Sequence, residues 1–192
     1  IYRLAENSQV KDRRFEFIIL EDKTINAFAA PGGIIGINLG MFLNTEREGE
    51  LASVMCHELA HLSQRHFARS QNRNSPLANA LMILGSIAVA AASRNPEAIL
   101  IAPAAMQQMS INYTRSNEKE ADRIGFNNLV KAGFDPNDMT MMFQRMQDKY
   151  QNEDSEQFSY LMTHPLPSER LTDMRIRADG LKNNSKNSFR DN

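Results

Sequence analysis

The chain has 192 residues, enough for one domain with a sizeable core and at most a small appendage. Its 22 basic and 23 acidic residues are interspersed and leave a net charge of −1, which gives no sign of the basic face that nucleic-acid binding usually needs. The single cysteine, Cys56, excludes an internal disulfide and is expected to be a small buried residue rather than a ligand. The chain begins at Ile1, so a signal peptide can be neither seen nor excluded.

Residues 15–20 (FEFIIL), 25–30 (INAFAA) and 34–39 (IIGINL) are β-prone runs. Pro31-Gly32-Gly33 separates the second from the third, so a small sheet with a tight turn is expected ahead of the first long helix. From Glu46 to about Ser70 the pattern becomes helical. Leu51, Val54, Met55, Leu59 and Leu62 recur at three- and four-residue steps, and Thr45 with Glu48 fits a capping box. Residues 77–92 are strongly apolar but interrupted by Asn79, Gly85 and Ser86, and are short for a bilayer span of about 20 residues. With a second apolar stretch at 98–111, they are expected to form a helical hairpin that covers a cleft as a lid, membrane contact being the alternative. Helical period returns from Asn112 to Ala132, with Gly133 as C-cap. Asp135-Pro136 then starts a methionine-rich helix reaching about Tyr150, its methionines read as core filling. Ser168 caps a last helix ending near Asp179, followed by Gly180. Residues 1–182 are therefore read as one domain, and 183–192 as a polar tail or linker start.

The chemistry concentrates in His57-Glu58-Leu59-Ala60-His61, an H-E-x-x-H run on the first long helix. A four-residue step turns a helix by about 400°, so both imidazoles share one face, one turn apart, as two nitrogen ligands of one tetrahedral zinc need. Glu58 lies about 100° round from His57, where it can reach the attacking water as general base without ligating the metal. A catalytic zinc needs a third protein ligand and an open position. Glu118 is the best candidate, and Asp122, one turn on, could accept a hydrogen bond from a ligating histidine. Glu120 points away and is rejected as a ligand. His66, five residues after His61, falls on another face and reads as a surface or packing histidine. His164, before Pro165, has two open roles: an oxyanion donor or a fourth ligand. Arg170, one turn into the last helix, could pair with a carboxylate near the site.

VMCHELAHLSQRHFAR, NEKEADRIGF and THPLPSERL, in this order and spacing, together with NAFAAPGG upstream, closely resemble the BepA-type periplasmic metalloproteases of metallopeptidase family forty-eight. That family includes HtpX and the CAAX prenyl protease type 1. The resemblance covers roughly residues 10–180. It implies an α+β, mainly helical, gluzincin-type zincin domain with a small β-sheet and an active-site helix. It implies one Zn2+ per chain on His57, His61 and Glu118, with Glu58 as catalytic base, Asp122 as the paired aspartate and His164 close to the zinc.

The implied activity is a zinc-dependent endopeptidase in envelope or outer-membrane protein quality control. Its substrates would be unfolded or misassembled proteins, with the outer-membrane assembly machinery as a further partner and a periplasmic location. Residues 34–38 are expected to be an exposed strand that takes the substrate as an extra strand. BepA-type members carry tetratricopeptide repeats after the protease domain. None lies within these 192 residues, which leaves open whether any follow. Two rival readings remain: a non-catalytic metal-containing chaperone or binding module, and a membrane-embedded protease of the HtpX type.

Overall fold

The computed structural model of the chain describes residues 1–71, 115–152 and 159–188; the apolar stretches 77–92 and 98–111 and the expected hairpin lie outside them. Helix α1 (Tyr2–Glu6) precedes strands β1 (Glu16–Leu20), β2 (Ala27–Ala30) and β3 (Ile34–Asn38). Then come α2 (Leu39–Leu43), α3 (Glu48–Ser63), α4 (His66–Gln71), α5 (Arg115–Lys131), α6 (Asn137–Asn152), α7 (Ser159–Thr163) and α8 (Ser168–Ser188). The mainly helical α+β expectation holds.

Strands β2 and β3 form the expected hairpin, antiparallel with Ala27 opposite Ile37. Its turn needs positive φ at Gly32 (92°) and Gly33 (82°), and a side chain on Gly33 would collide with the Arg14 carbonyl. Strand β1 adds parallel to β3, giving the order β1-β3-β2. This corrects the expectation for residues 34–38. Strand β3 is central, and its backbone groups are used on both sides, so no peptide can add to it. The edges belong to β1 and β2. Every residue of β2 is buried, whereas β1 turns Phe17 and Ile19 outward.

Helix α3 is the centre of the domain. Its residues from Ala52 to His61 are buried on every side, by β2, α1, α5 and α6. Met139, Met142 and Met146 of α6 recur at helical spacing and are buried with Phe143 against it, so these three methionines fill the core as expected, whereas Met141 faces outward and is exposed. Asp135 caps α6 as expected, accepting from the Asn137 N–H at 2.9 Å, and Gly133 takes positive φ after α5.

The start and end of the first long helix differ from expectation. Thr45 and Glu48 make no capping box. Arg47 occupies the cap position, the Thr45 hydroxyl donates to the Phe42 carbonyl, and the Glu46 N–H donates to the Glu50 carboxylate at 2.7 Å. Glu50 is drawn there because it is buried and needs the Arg145 guanidinium at 2.9 Å. At the other end the helix breaks at Arg65, whose φ is 53°, and α4 starts in a new direction. The last helix runs past Asp179 and Gly180 to Ser188, so residues 183–188 are helical rather than a tail. A lone glycine costs a helix only about 1 kcal/mol relative to alanine, and no proline follows to stop it.

Helices α3 and α5 make the most extensive contact between elements among the described residues, and they approach closely at Gly125. A Cβ there would lie 3.0 Å from the His57 backbone nitrogen and 3.1 Å from the Cys56 carbonyl. Gly125→Val is therefore expected to push the two helices apart and to destabilise the fold by about 1–3 kcal/mol. Urea unfolding of the variant against the parent measures this, and equal midpoints would mean that the contact tolerates a side chain.

Candidate metal centre

Three helices and one turn supply the chemistry-bearing side chains. Helix α3 presents His57, Glu58 and His61 on its α5 side, and α5 presents Glu118 and Asp122 from the stripe that ends at Gly125. The turn after α7 delivers His164, whose N–H donates to the Tyr160 carbonyl at 2.8 Å, and α8 sends in Arg170. His57, His61, Glu118 and His164 each offer an atom, and these four atoms lie within 4.8 Å of one another. His57 Nε2 and His61 Nε2 are 2.9 Å apart, and each lies 3.4 Å from a Glu118 oxygen. His164 Nδ1 is 3.2 Å from both Glu118 oxygens, and its Nε2 is 3.6 Å from Glu58 Oε1. All five groups are at most 3% exposed.

Buried ionisable groups persist only when something compensates them. Arg170 provides part of that. Its Nε and Nη2 donate to both oxygens of Asp122 at 2.6 and 2.7 Å, and its Nη1 donates to the Pro165 carbonyl at 2.6 Å and lies 2.9 Å from Glu118. Burial alone would raise the Asp122 carboxyl, but this guanidinium outweighs it and holds Asp122 below its ordinary value. Asp122 Oδ1 in turn sits 3.0 Å from His57 Nδ1. Burial pushes the His57 imidazole down, yet Asp122 and Glu118 prevail and raise it to about 9. At His61, burial and the neighbouring His57 ring outweigh the Glu118 carboxylate and lower the imidazole well below the usual histidine range. Glu118 is held well down, against its burial, by the His164 and His57 rings.

Glu58 stands apart from these pairs. Its Oε1 accepts from the Tyr160 hydroxyl at 3.1 Å, while Oε2 has no hydrogen-bond partner among the described residues. Burial raises its carboxyl, opposed by the His164 and His57 rings. A buried carboxylate with one oxygen fixed and the other uncommitted is suited to taking a proton from a small molecule beside it. Three imidazoles and a carboxylate converging on one point form a donor set that fits a divalent transition metal such as zinc. Cys56 takes no part: burial pushes its thiol up to about 12, far from the thiolate a ligand must be.

The structure thus brings together His57, Glu58, His61, Glu118, Asp122, His164 and Arg170. Three more residues adjoin the site: Tyr160, which the sequence reading does not single out, and His66 and Glu120, to which it gives no role there. Tyr160 stacks on His164 with ring centroids 4.6 Å apart, and its position four residues earlier was a usable signal. His66 is not a surface histidine and faces the site. Its Nδ1 lies 2.8 Å from His61 Nδ1, and its Nε2 lies 3.0 Å from Glu120. Continuous helical numbering had turned it away, and nothing in the sequence announces positive φ at an arginine. Glu120, rejected as a ligand, pairs with His66 and Arg69.

Comparison with known proteins gives a consistent picture. A family model described as Peptidase family M48 matches residues 1–178. A Vibrio cholerae protein that provisionally carries the name beta-barrel assembly-enhancing protease is 47% identical over 182 residues, covering 92% of this chain and 37% of its own length. The beta-barrel assembly-enhancing protease of Escherichia coli strain K12 is 39% identical over 189 residues, covering 94% of this chain and 38% of its own length. The mitochondrial metalloendopeptidase OMA1 of Schizosaccharomyces pombe is 29% identical over 169 residues, covering 88% of this chain and 48% of its own length. The chain therefore spans less than half the length of each of these relatives.

The Arg170 bridge generates a stability prediction. Arg170→Leu leaves the Asp122 and Glu118 carboxylates buried without their cation, at a cost on the order of 3–5 kcal/mol. Because the folded Asp122 value lies below its ordinary 3.8, the stabilisation it contributes is full above that pH and is lost as the pH falls through the folded value. Chemical denaturation of metal-free parent and variant should differ most near neutrality and converge in acid. Equal stability at neutral pH would contradict the bridge.

Proposed function

From the premise that the chain belongs to peptidase family M48, we propose that it is a zinc-dependent endopeptidase whose active site is the α3–α5 cluster. The observation that carries this reading is the convergence of His57, His61 and Glu118 on one point, beside a buried Glu58 with one uncommitted oxygen. His57, His61 and Glu118 would hold the metal, which supplies Lewis acidity, polarising a peptide carbonyl and bringing the pKa of a water towards about 7.

The remaining chemistry belongs to the protein. Tyr160 holds Glu58 Oε1, leaving Oε2 to accept the proton of the attacking water and pass it to the leaving amine. Asp122 orients His57 through its Nδ1, and Arg170 anchors Asp122 and Glu118 together. His164 either donates to the oxyanion as the carbonyl is attacked or occupies a fourth ligand position at rest. Its ring, within reach of Glu118 and stacked on Tyr160, favours the resting position on or beside the metal.

Two relatives carry names that describe proteases enhancing beta-barrel assembly, which supports protein substrates; unfolded or misassembled outer-membrane proteins, their assembly machinery as partners and a periplasmic location extend that proposal. No helix among the described residues is long and apolar enough to cross a membrane. A non-catalytic metal module would leave the buried, uncommitted Glu58 without a purpose, and structural zinc sites are usually closed by four protein ligands.

Cleavage of casein by the purified chain, with and without a chelator, tests the activity, and chelator-insensitive cleavage would reject the metal reading. Glu58→Gln is expected to keep its zinc by elemental analysis while losing activity, because the amide cannot take up the proton; cleavage at the parent rate would remove Glu58 from its role. Glu118→Ala should lose most of its zinc, and full retention would overturn the ligand set. His164→Ala separates the two histidine roles at equal zinc occupancy. A fall in turnover of roughly 10²-fold or more marks an oxyanion donor, a rise marks a blocking ligand, and an unchanged rate rejects both.

A further inference from the structure

His57 and His61 present Nε2 to the same point, but their other ring nitrogens are treated differently. His57 Nδ1 faces the Asp122 carboxylate, a charged acceptor that needs no further adjustment. His61 Nδ1 faces another imidazole, His66 Nδ1, at 2.8 Å. Two ring nitrogens at that distance require one to donate and one to accept, so the contact alone does not say which form His61 takes. The decision is made one residue further out. His66 Nε2 lies 3.0 Å from Glu120 Oε2, a carboxylate that can only accept, and Arg69 Nη1 donates to the same oxygen at 2.9 Å and fixes it. His66 must therefore carry its proton on Nε2 and offer a lone pair at Nδ1. His61 must then donate from Nδ1, which leaves the lone pair of its Nε2 directed at the cluster.

We propose that His66, set by Glu120 and Arg69, is the positioning residue that fixes the tautomer and ring angle of His61 for metal binding. The break at Arg65 gives this arrangement its structural reason. On an uninterrupted helix, His66 would point away; the positive φ at Arg65 swings α4 so that His66 is fully buried against His61. The ring centroids of the two histidines are 4.7 Å apart with planes at 76°, a geometry in which the edge of one ring meets the edge nitrogen of the other.

The inference rests on the proposed metal site, and its test separates the two. Zinc affinity is measured by competition with a chromophoric chelator for the parent chain and for His66→Phe, His66→Asn and Glu120→Ala, with the melting temperature of each metal-free protein alongside. His66→Phe keeps a ring but offers no acceptor, and should weaken zinc binding by about 10- to 100-fold. His66→Asn places an amide oxygen near the former Nδ1 and should recover most of that loss, a rescue that general damage to packing would not give. Glu120→Ala, at a partly exposed position, should fold like the parent and weaken zinc binding by a smaller factor of at least about threefold. Parent-like affinity in His66→Phe and Glu120→Ala overturns the positioning role. Equal weakening in His66→Phe and His66→Asn, with matching loss of melting temperature, also overturns it. Failure of the parent chain itself to bind zinc overturns the metal site on which the inference stands.

Discussion

The close approach of helix α5 to helix α3 is the constraint from which the site follows. Glu118, Asp122 and Gly125 lie at i, i+4 and i+7 on one stripe of α5, and that stripe faces the histidines of α3. The missing side chain at Gly125 brings the two backbones to van der Waals contact beside Cys56 and His57. Two turns earlier the same proximity puts Glu118 within 3.4 Å of both His57 and His61. One turn earlier it seats Asp122 behind His57. A wider separation would leave the carboxylates in reach of water and the histidines facing an apolar core.

That proximity creates an electrostatic problem which the other elements solve. Two carboxylates and two imidazoles are buried where isolated charge is costly. Arg170 reaches in from α8 and neutralises the outer side of the cluster through both oxygens of Asp122, while also touching Glu118. The inner side, where His57, His61 and Glu118 converge, is the side on which the proposed divalent cation would supply the balancing charge. Glu58 escapes both arrangements, since it is held by a neutral hydroxyl instead of a cation and so keeps its raised proton affinity. The division between carboxylates held by cations and one held by a phenol is how a single cluster can serve both metal binding and proton transfer.

Most of this was legible in the sequence because it is local. The H-E-x-x-H step fixes its own geometry on any helix, the i, i+4 pair Glu118 and Asp122 does the same, and the methionine spacing of α6 announces a core face. What was not legible depends on backbone geometry that composition does not encode. The left-handed conformation at Arg65 re-aimed His66, and strand order rather than strand identity made β3 central and unavailable as an edge. The capping box at Thr45 failed because tertiary demand won over local pattern: the buried Glu50 is bound to Arg145 and to the Glu46 N–H, and the helix starts around it. Gly180 did not end α8, because a glycine stops a helix only where the chain is also required to turn.

The fold thus packs the proposed metal-binding face, the proposed proton acceptor and the residues that would orient them into a chain that spans less than half the length of each relative compared. The central claim is that His57, His61 and Glu118 meet on one metal ion. Anomalous diffraction at the zinc edge from crystals of the zinc-loaded chain tests it most directly. The account predicts a single strong peak with the Nε2 atoms of His57 and His61 at about 2.0–2.1 Å and a Glu118 oxygen at about 2.0–2.2 Å. A peak bound elsewhere, or zinc held without Glu118, would contradict it.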